Sequence, residues 1–123
     1  MSRTAVTPQS PPGPYPSLPL GAGAADITFT AADAVNFNNF VSTGRELLLV
    51  NNPSGSAYTV TVHSVADPLR RTGDITTYSV GAGKTSMLGP FLQPGWLQSD
   101  GTVWVDASNA ALLLAVVRLP SVP

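Results

Sequence analysis

The chain is 123 residues long, which is one domain's worth and enough for a modest core. Its net charge is −1 and only 11 % of its residues are charged, so it offers no electrostatic footprint for nucleic acid or an anionic membrane surface. It has no cysteine, which excludes disulfides and thiolate metal sites.

Residues 1–25 form a regime of their own. Pro8, Pro11, Pro12, Pro14, Pro16 and Pro19 crowd the first part, and Gly21-Ala22-Gly23 follows. Such a stretch cannot make a helix or enter a sheet interior and favours extended polyproline II. With one Arg3 and no apolar core, it does not read as a secretory signal. It is either a solvated tail or an arm that lies along a partner, and as an arm its anchors are Tyr15, Leu18 and Leu20.

Residues 26–123 read as the core domain. Residues 26–30 alternate as a short strand, and 31–40 form an irregular connection that buries Phe37 or Phe40. Thr43-Gly44 turns into residues 47–50, a strand apolar on both faces that Asn51-Asn52-Pro53 closes. Tyr58, Val60 and Val62 then alternate with Thr59, Thr61 and His63, the period of a strand with one buried face. The two runs pair most simply as an antiparallel hairpin.

Residues 66–74 make a polar loop. Residues 75–80 and 85–88 read as a second pair of strands about the Gly81–Lys84 turn, and Gln93-Pro94-Gly95-Trp96 as a further turn. Asp100-Gly101 opens 102–107, with Val103 and Val105 on one face and Trp104 on the other. Residues 110–119 are apolar on both faces and read as a central strand that Pro120 stops. At eight residues, the apolar run 110–117 is far short of the roughly 18 a membrane helix needs. About seven strands with turns between them predict an all-β fold, a small antiparallel β-sandwich or barrel with an extended Pro-rich N-terminal arm.

No motif for chemistry stands out. Gly81–Thr85 matches the tail of a phosphate-binding loop, but Tyr78 stands where the pattern needs glycine, and Gly89-Pro90 takes the place of a helix. His63 is the only histidine, with no second His or Cys to share a metal. The carboxylates are dispersed and several occupy turns. The reading is therefore of a protein that is not an enzyme and takes no cofactor or metal. Its scarcity of charge points to work in an assembly.

Several segments carry a resemblance: Phe40-x-x-x-Gly44-Arg45-x-Leu47-Leu48-x-Val50-x-Asn52, Thr59-Val60-Thr61-Val62, Leu88-Gly89-Pro90-Phe91, Gly101-x-Val103-x-Val105 and Ala115-Val116-x-Arg118-Leu119. Together they resemble the small head proteins of tailed bacteriophages that decorate, or cement, the capsid. The resemblance covers about residues 40–119 and leaves the Pro-rich arm outside. It implies a structural virion protein on the outer surface of the capsid. Its partner would be the major capsid protein lattice, which it would bind as a homotrimer at three-fold and quasi-three-fold positions. It implies no direct contact with nucleic acid or membrane. In that setting Arg45 and Arg118, at strand ends, and Trp96 are candidate interface residues. The alternative is a carbohydrate- or receptor-binding β-sandwich of a phage tail or fibre, with Trp96 and Trp104 as stacking surfaces.

Overall fold

The computed structural model describes residues 2–11, 21–23, 25–66, 69 and 72–119. Ten strands follow in chain order: β1 (Thr4–Ala5), β2 (Pro8–Gln9), β3 (Thr30–Ala31), β4 (Asn38–Val41), β5 (Glu46–Asn51), β6 (Tyr58–His63), β7 (Ile75–Val80), β8 (Thr85–Leu88), β9 (Thr102–Ala107) and β10 (Leu113–Arg118). They form two mixed five-stranded sheets. The first runs β1-β4-β9-β6-β7; the second runs β2-β10-β5-β8, with β3 also paired to β10. This is a small β-sandwich.

Alternation does the work inside each strand. Phe40, Val103, Val105, Val60 and Val62 point inward from the first sheet, and Leu48, Val50, Leu114 and Val116 from the second, all buried in one core. Phe91 closes one end, with its ring 5.9 Å from Phe40 and 5.1 Å from Trp96. Gln93–Trp96 is the one short helical element among the described residues. Its backbone is a type II turn, with Pro94 at φ −68°, ψ 116° and Gly95 at φ 106°, ψ −20°.

Three expectations are corrected. Among the described residues the strands number ten, not seven. The additional ones are short edge strands or lie in Asn- and Pro-rich sequence, where pairing overrides weak strand propensity. The sheets are not purely antiparallel, because β1 pairs with β4, and β2 with β10, in parallel. The two expected hairpins are absent, since β5 and β8 belong to the second sheet while β6 and β7 belong to the first. Each of these strands has an apolar face that needs cover, and the chain supplies it by crossing over the core.

Asn52 holds these crossings. Fully buried, it donates from Nδ2 to the carbonyls of Ser56 (2.7 Å) and Val80 (2.9 Å), and its Oδ1 accepts from Ser54 N–H and Oγ–H. Its backbone exchanges hydrogen bonds with the neighbouring crossing, Asn52 N–H to Lys84 O at 2.9 Å and Gly83 N–H to Asn52 O at 2.8 Å.

Residues 4–9, expected in an arm apart from the core, are part of the sandwich. β1 extends the first sheet, β2 extends the second, and Val6 between them is buried in the core. Pro8 is tolerated because β2 lies at a sheet edge, where its missing N–H costs no ladder bond.

Candidate functional site

The two outward faces of the sandwich differ in kind. On the first sheet, register sets Thr61 beside Asp106, His63 beside Trp104, and Asn39 beside Trp104 on its other flank. Arg3 reaches over this face. Its guanidinium donates to Asp106 Oδ1 at 2.6 Å and to the Asn38 carbonyl at 3.0 Å, and lies 4.4 Å from the centre of the Trp104 ring. His63 Nε2 stands 2.7 Å from Asp106 Oδ2, and its Nδ1 3.6 Å from Asp74 Oδ2. The Ser64 hydroxyl and then its amide donate to Asp74 and hold that carboxyl below the usual range.

This row of charges binds itself. The Ser64 hydroxyl donates a hydrogen bond to Asp74 and both imidazole nitrogens face carboxylates, so no hydroxyl is paired with the His63 ring. Its evident work is to fasten the N-terminal strand. Arg3→Ala is expected to speed amide exchange at Thr4 and Val6, which donate to Phe37 O and Asn39 O, by roughly 10-fold or more through loss of a charge-assisted bond. Amides of β6 and β9 should be unaffected. Equal protection in the variant, read by NMR, would remove this role from Arg3.

A second charged group lies inside. Glu46 has no exposed surface, and the loop before it folds around its carboxylate. The oxygens accept from Thr43 N–H at 2.7 Å, Arg45 N–H at 3.0 Å, the Thr43 and Ser42 hydroxyls, and Arg118 Nε–H. Burial alone would raise this carboxyl; the Arg118 bond and the two amides prevail and lower it from 4.5 to about 2. Gly89 belongs to the same region. Its φ of 114° favours glycine, and a Cβ there would stand 3.0 Å from the Glu46 carbonyl oxygen.

The outer face of the second sheet is apolar. Leu47, Leu49 and Met87 share it with Leu113, Ala115 and Val117, and Met87 is 68 % exposed. A sheet with one face on the core ordinarily turns polar side chains outward on the other. This one does not: Leu47, Leu49, Leu113 and Val117 are half-buried on it, Ala115 is fully buried and Met87 is exposed.

The expected site residues fare differently. Tyr15, Leu18 and Leu20 lie outside the described residues. Arg118 is engaged with Glu46, whereas the Arg45 side chain makes no ion pair within the described residues and only its backbone joins that network. Trp96 is half-buried, its edge-to-face contact on Phe91 making it part of the core margin. Trp104 lies on the polar face beneath Arg3. The two indoles therefore do not make one stacking platform.

Glu46, Asn52 and Arg3 were not singled out by sequence as structural centres. The signal for Glu46 was present, since it alternates with Leu48 and Val50 and so must point inward. Among the described residues no three His, Cys, Asp or Glu side chains are grouped to hold a metal ion, and no helix is long and apolar enough to cross a membrane. No protein-family model, curated protein or solved structure matches the chain.

Proposed function

We propose that the protein is a structural component of a tailed-phage virion that decorates and stabilises the capsid from outside by binding the major capsid protein lattice. The observation that carries this reading is the uncharged apolar outer face of the second sheet, in a chain with few charges anywhere. That combination suits a protein kept in an assembly. The segments that carry the resemblance support it further. Phe40, Leu48, Val50, Val60, Val62, Phe91, Val103, Val105 and Val116 pack together as one core.

The Pro-rich stretch supplies the shell contact in this reading. Gln9 donates to Thr28 O at 2.6 Å and accepts from Thr28 N–H at 2.9 Å, so the chain between them leaves and returns at one edge of the second sheet. A contact repeated on a symmetric lattice gains strength by multivalency. The test is co-sedimentation with undecorated shells. Wild type should pellet with shells, and replacing residues 12–20 by a Gly/Ser linker of equal length should weaken binding by at least about 10-fold. No binding by the wild type overturns the proposal. Unchanged binding by the linker variant removes Tyr15, Leu18 and Leu20 from it.

A further inference from the structure

The charged row on the first sheet contains one group whose state changes in mild acid. His63 is the only histidine and the chain has no cysteine, so no other side chain ordinarily changes charge between about pH 5 and 8. It ends β6, with Asp106 of β9 and Asp74, just before β7, against opposite nitrogens of its ring. Nε2 lies 2.7 Å from Asp106 Oδ2, a hydrogen bond, whereas Nδ1 lies 3.6 Å from Asp74 Oδ2, too long for one. Asp74 is otherwise held through Oδ1, which accepts from the Ser64 amide at 2.8 Å and the Ser64 hydroxyl at 2.7 Å. These bonds close the neck between β6 and β7.

A neutral imidazole carries one N–H and one bare nitrogen, and only the imidazolium donates from both. The short Nε2 contact needs its proton there, since a bare nitrogen and a carboxylate oxygen are both acceptors. In the neutral ring the Nδ1 lone pair therefore faces the Asp74 carboxylate, acceptor against acceptor, at the longer of the two separations. We infer that His63 is a proton-operated tie: with one ring proton it bonds Asp106 alone, and with a second it also binds Asp74, joining the β6–β7 neck to β9. The proton comes from solvent, which reaches the ring at 32 % side-chain exposure.

The charged groups around the ring come from three elements. Asp106 lies on β9, Asp74 precedes β7, and Arg3, next to β1, binds the other oxygen of Asp106 at 2.6 Å. β6 adds none on this face, where Thr61 stands two residues away, and Trp104, paired with His63, is neutral. Arg3 opposes a second cation, but two carboxylates outnumber it: the neutral ring leaves one cation with two anions, and the imidazolium makes two of each. The Ser64 hydroxyl and then its amide hold the Asp74 carboxyl low, so it stays an anion throughout the range in which histidine titrates. Partial exposure keeps the effect modest, about 2- to 5-fold in the local equilibrium. Ser64 and Gly73 report it, because the Ser64 amide donates to Asp74 and the Gly73 amide to the Ser64 hydroxyl at 2.9 Å. None of this depends on shell binding.

NMR of the full chain between about pH 8.5 and 5 tests it. At the alkaline end the ring nitrogen signals should show a proton on Nε2 and a bare Nδ1. On acidification the Ser64 and Gly73 amide signals should move with the same midpoint as the ring. Their exchange protection, corrected for the intrinsic effect of pH, should rise about 2- to 5-fold. His63→Gln should abolish both responses. Asp74→Asn keeps an acceptor for Ser64 but presents an N–H to the bare Nδ1, so the ring still titrates while the gain in protection vanishes or reverses. A neutral ring protonated on Nδ1, amides that do not follow the ring, or a gain in protection that survives either substitution overturns the inference.

Discussion

Arg118→Met is expected to destabilise the fold by roughly 3 kcal/mol at pH 7, and by much less near pH 3. The methionine keeps the apolar stem and removes the cation, leaving the Glu46 carboxylate buried with hydroxyl and amide partners only. Breaking one side of a buried pair costs about 3–5 kcal/mol, and the lower end applies because Arg118 itself still reaches water. The pH dependence follows from the folded-state value of about 2 against an ordinary 4.5. A lowered carboxyl contributes stability that is complete above the unfolded value and is lost as pH falls through the folded one. In the wild type this contribution fades between about pH 4.5 and 2. Without Arg118, burial raises the carboxyl, the variant protonates earlier, and the gap between the two proteins closes on acidification. Urea midpoints at pH 7 and pH 3 read this directly. An equal loss at both would assign the effect of Arg118 to packing of its stem.

Asn52→Ala is expected to cost about as much by a different route, roughly 3 kcal/mol, or about 10 °C in melting temperature. The substitution leaves the Ser56 and Val80 carbonyls without their donor and removes the acceptor of two Ser54 bonds, at a fully buried site. Each orphaned buried group costs about 1–3 kcal/mol. Asn52→Asp should be at least as harmful, since it keeps the acceptors, loses both donated bonds and buries a charge. Thermal melts by circular dichroism check both variants. A loss under about 1 kcal/mol for Asn52→Ala would show that the backbone bonds to Gly83 and Lys84 hold the crossings alone.

Much of the fold was legible because alternation is a local signal. Val60 and Val62 face inward with Thr59, Thr61 and His63 outward, and Val103 and Val105 sit opposite Trp104, as the period-two pattern demands. Pairing was not local. Two strands joined by a short turn suggest a hairpin, but the side chain that decides the matter, Asn52, acts through carbonyls on the far side of the crossing. β4 escaped notice because Asn38 and Asn39 are poor strand formers. Asn38 is buried there because it donates to Thr4 O and accepts from Asp33 N–H. The ion pairs were illegible for the same reason. Glu46 and Arg118 face each other only once β5 and β10 are set antiparallel, and Arg3 meets Asp106 only once β1 lies on the first sheet. The apolar outer face was legible as composition, in two strands that read as buried on both sides.

The parallel pairing of Pro8 with Val116 sets an order on the protein's own synthesis. β2 must wait for β10, about a hundred residues further along the chain, to be added. At roughly 5–20 residues per second, the hundred or so residues between them take about 5–20 s to make. Most other strands wait as well, since only β6 and β7 are both consecutive and paired. The nascent chain therefore carries Leu47–Val50 and the inward valines of β6 uncovered until β9 and β10 are made. Holding chaperones would have their longest opportunity on this protein before β10 is made, since β10 pairs with β2, β3 and β5.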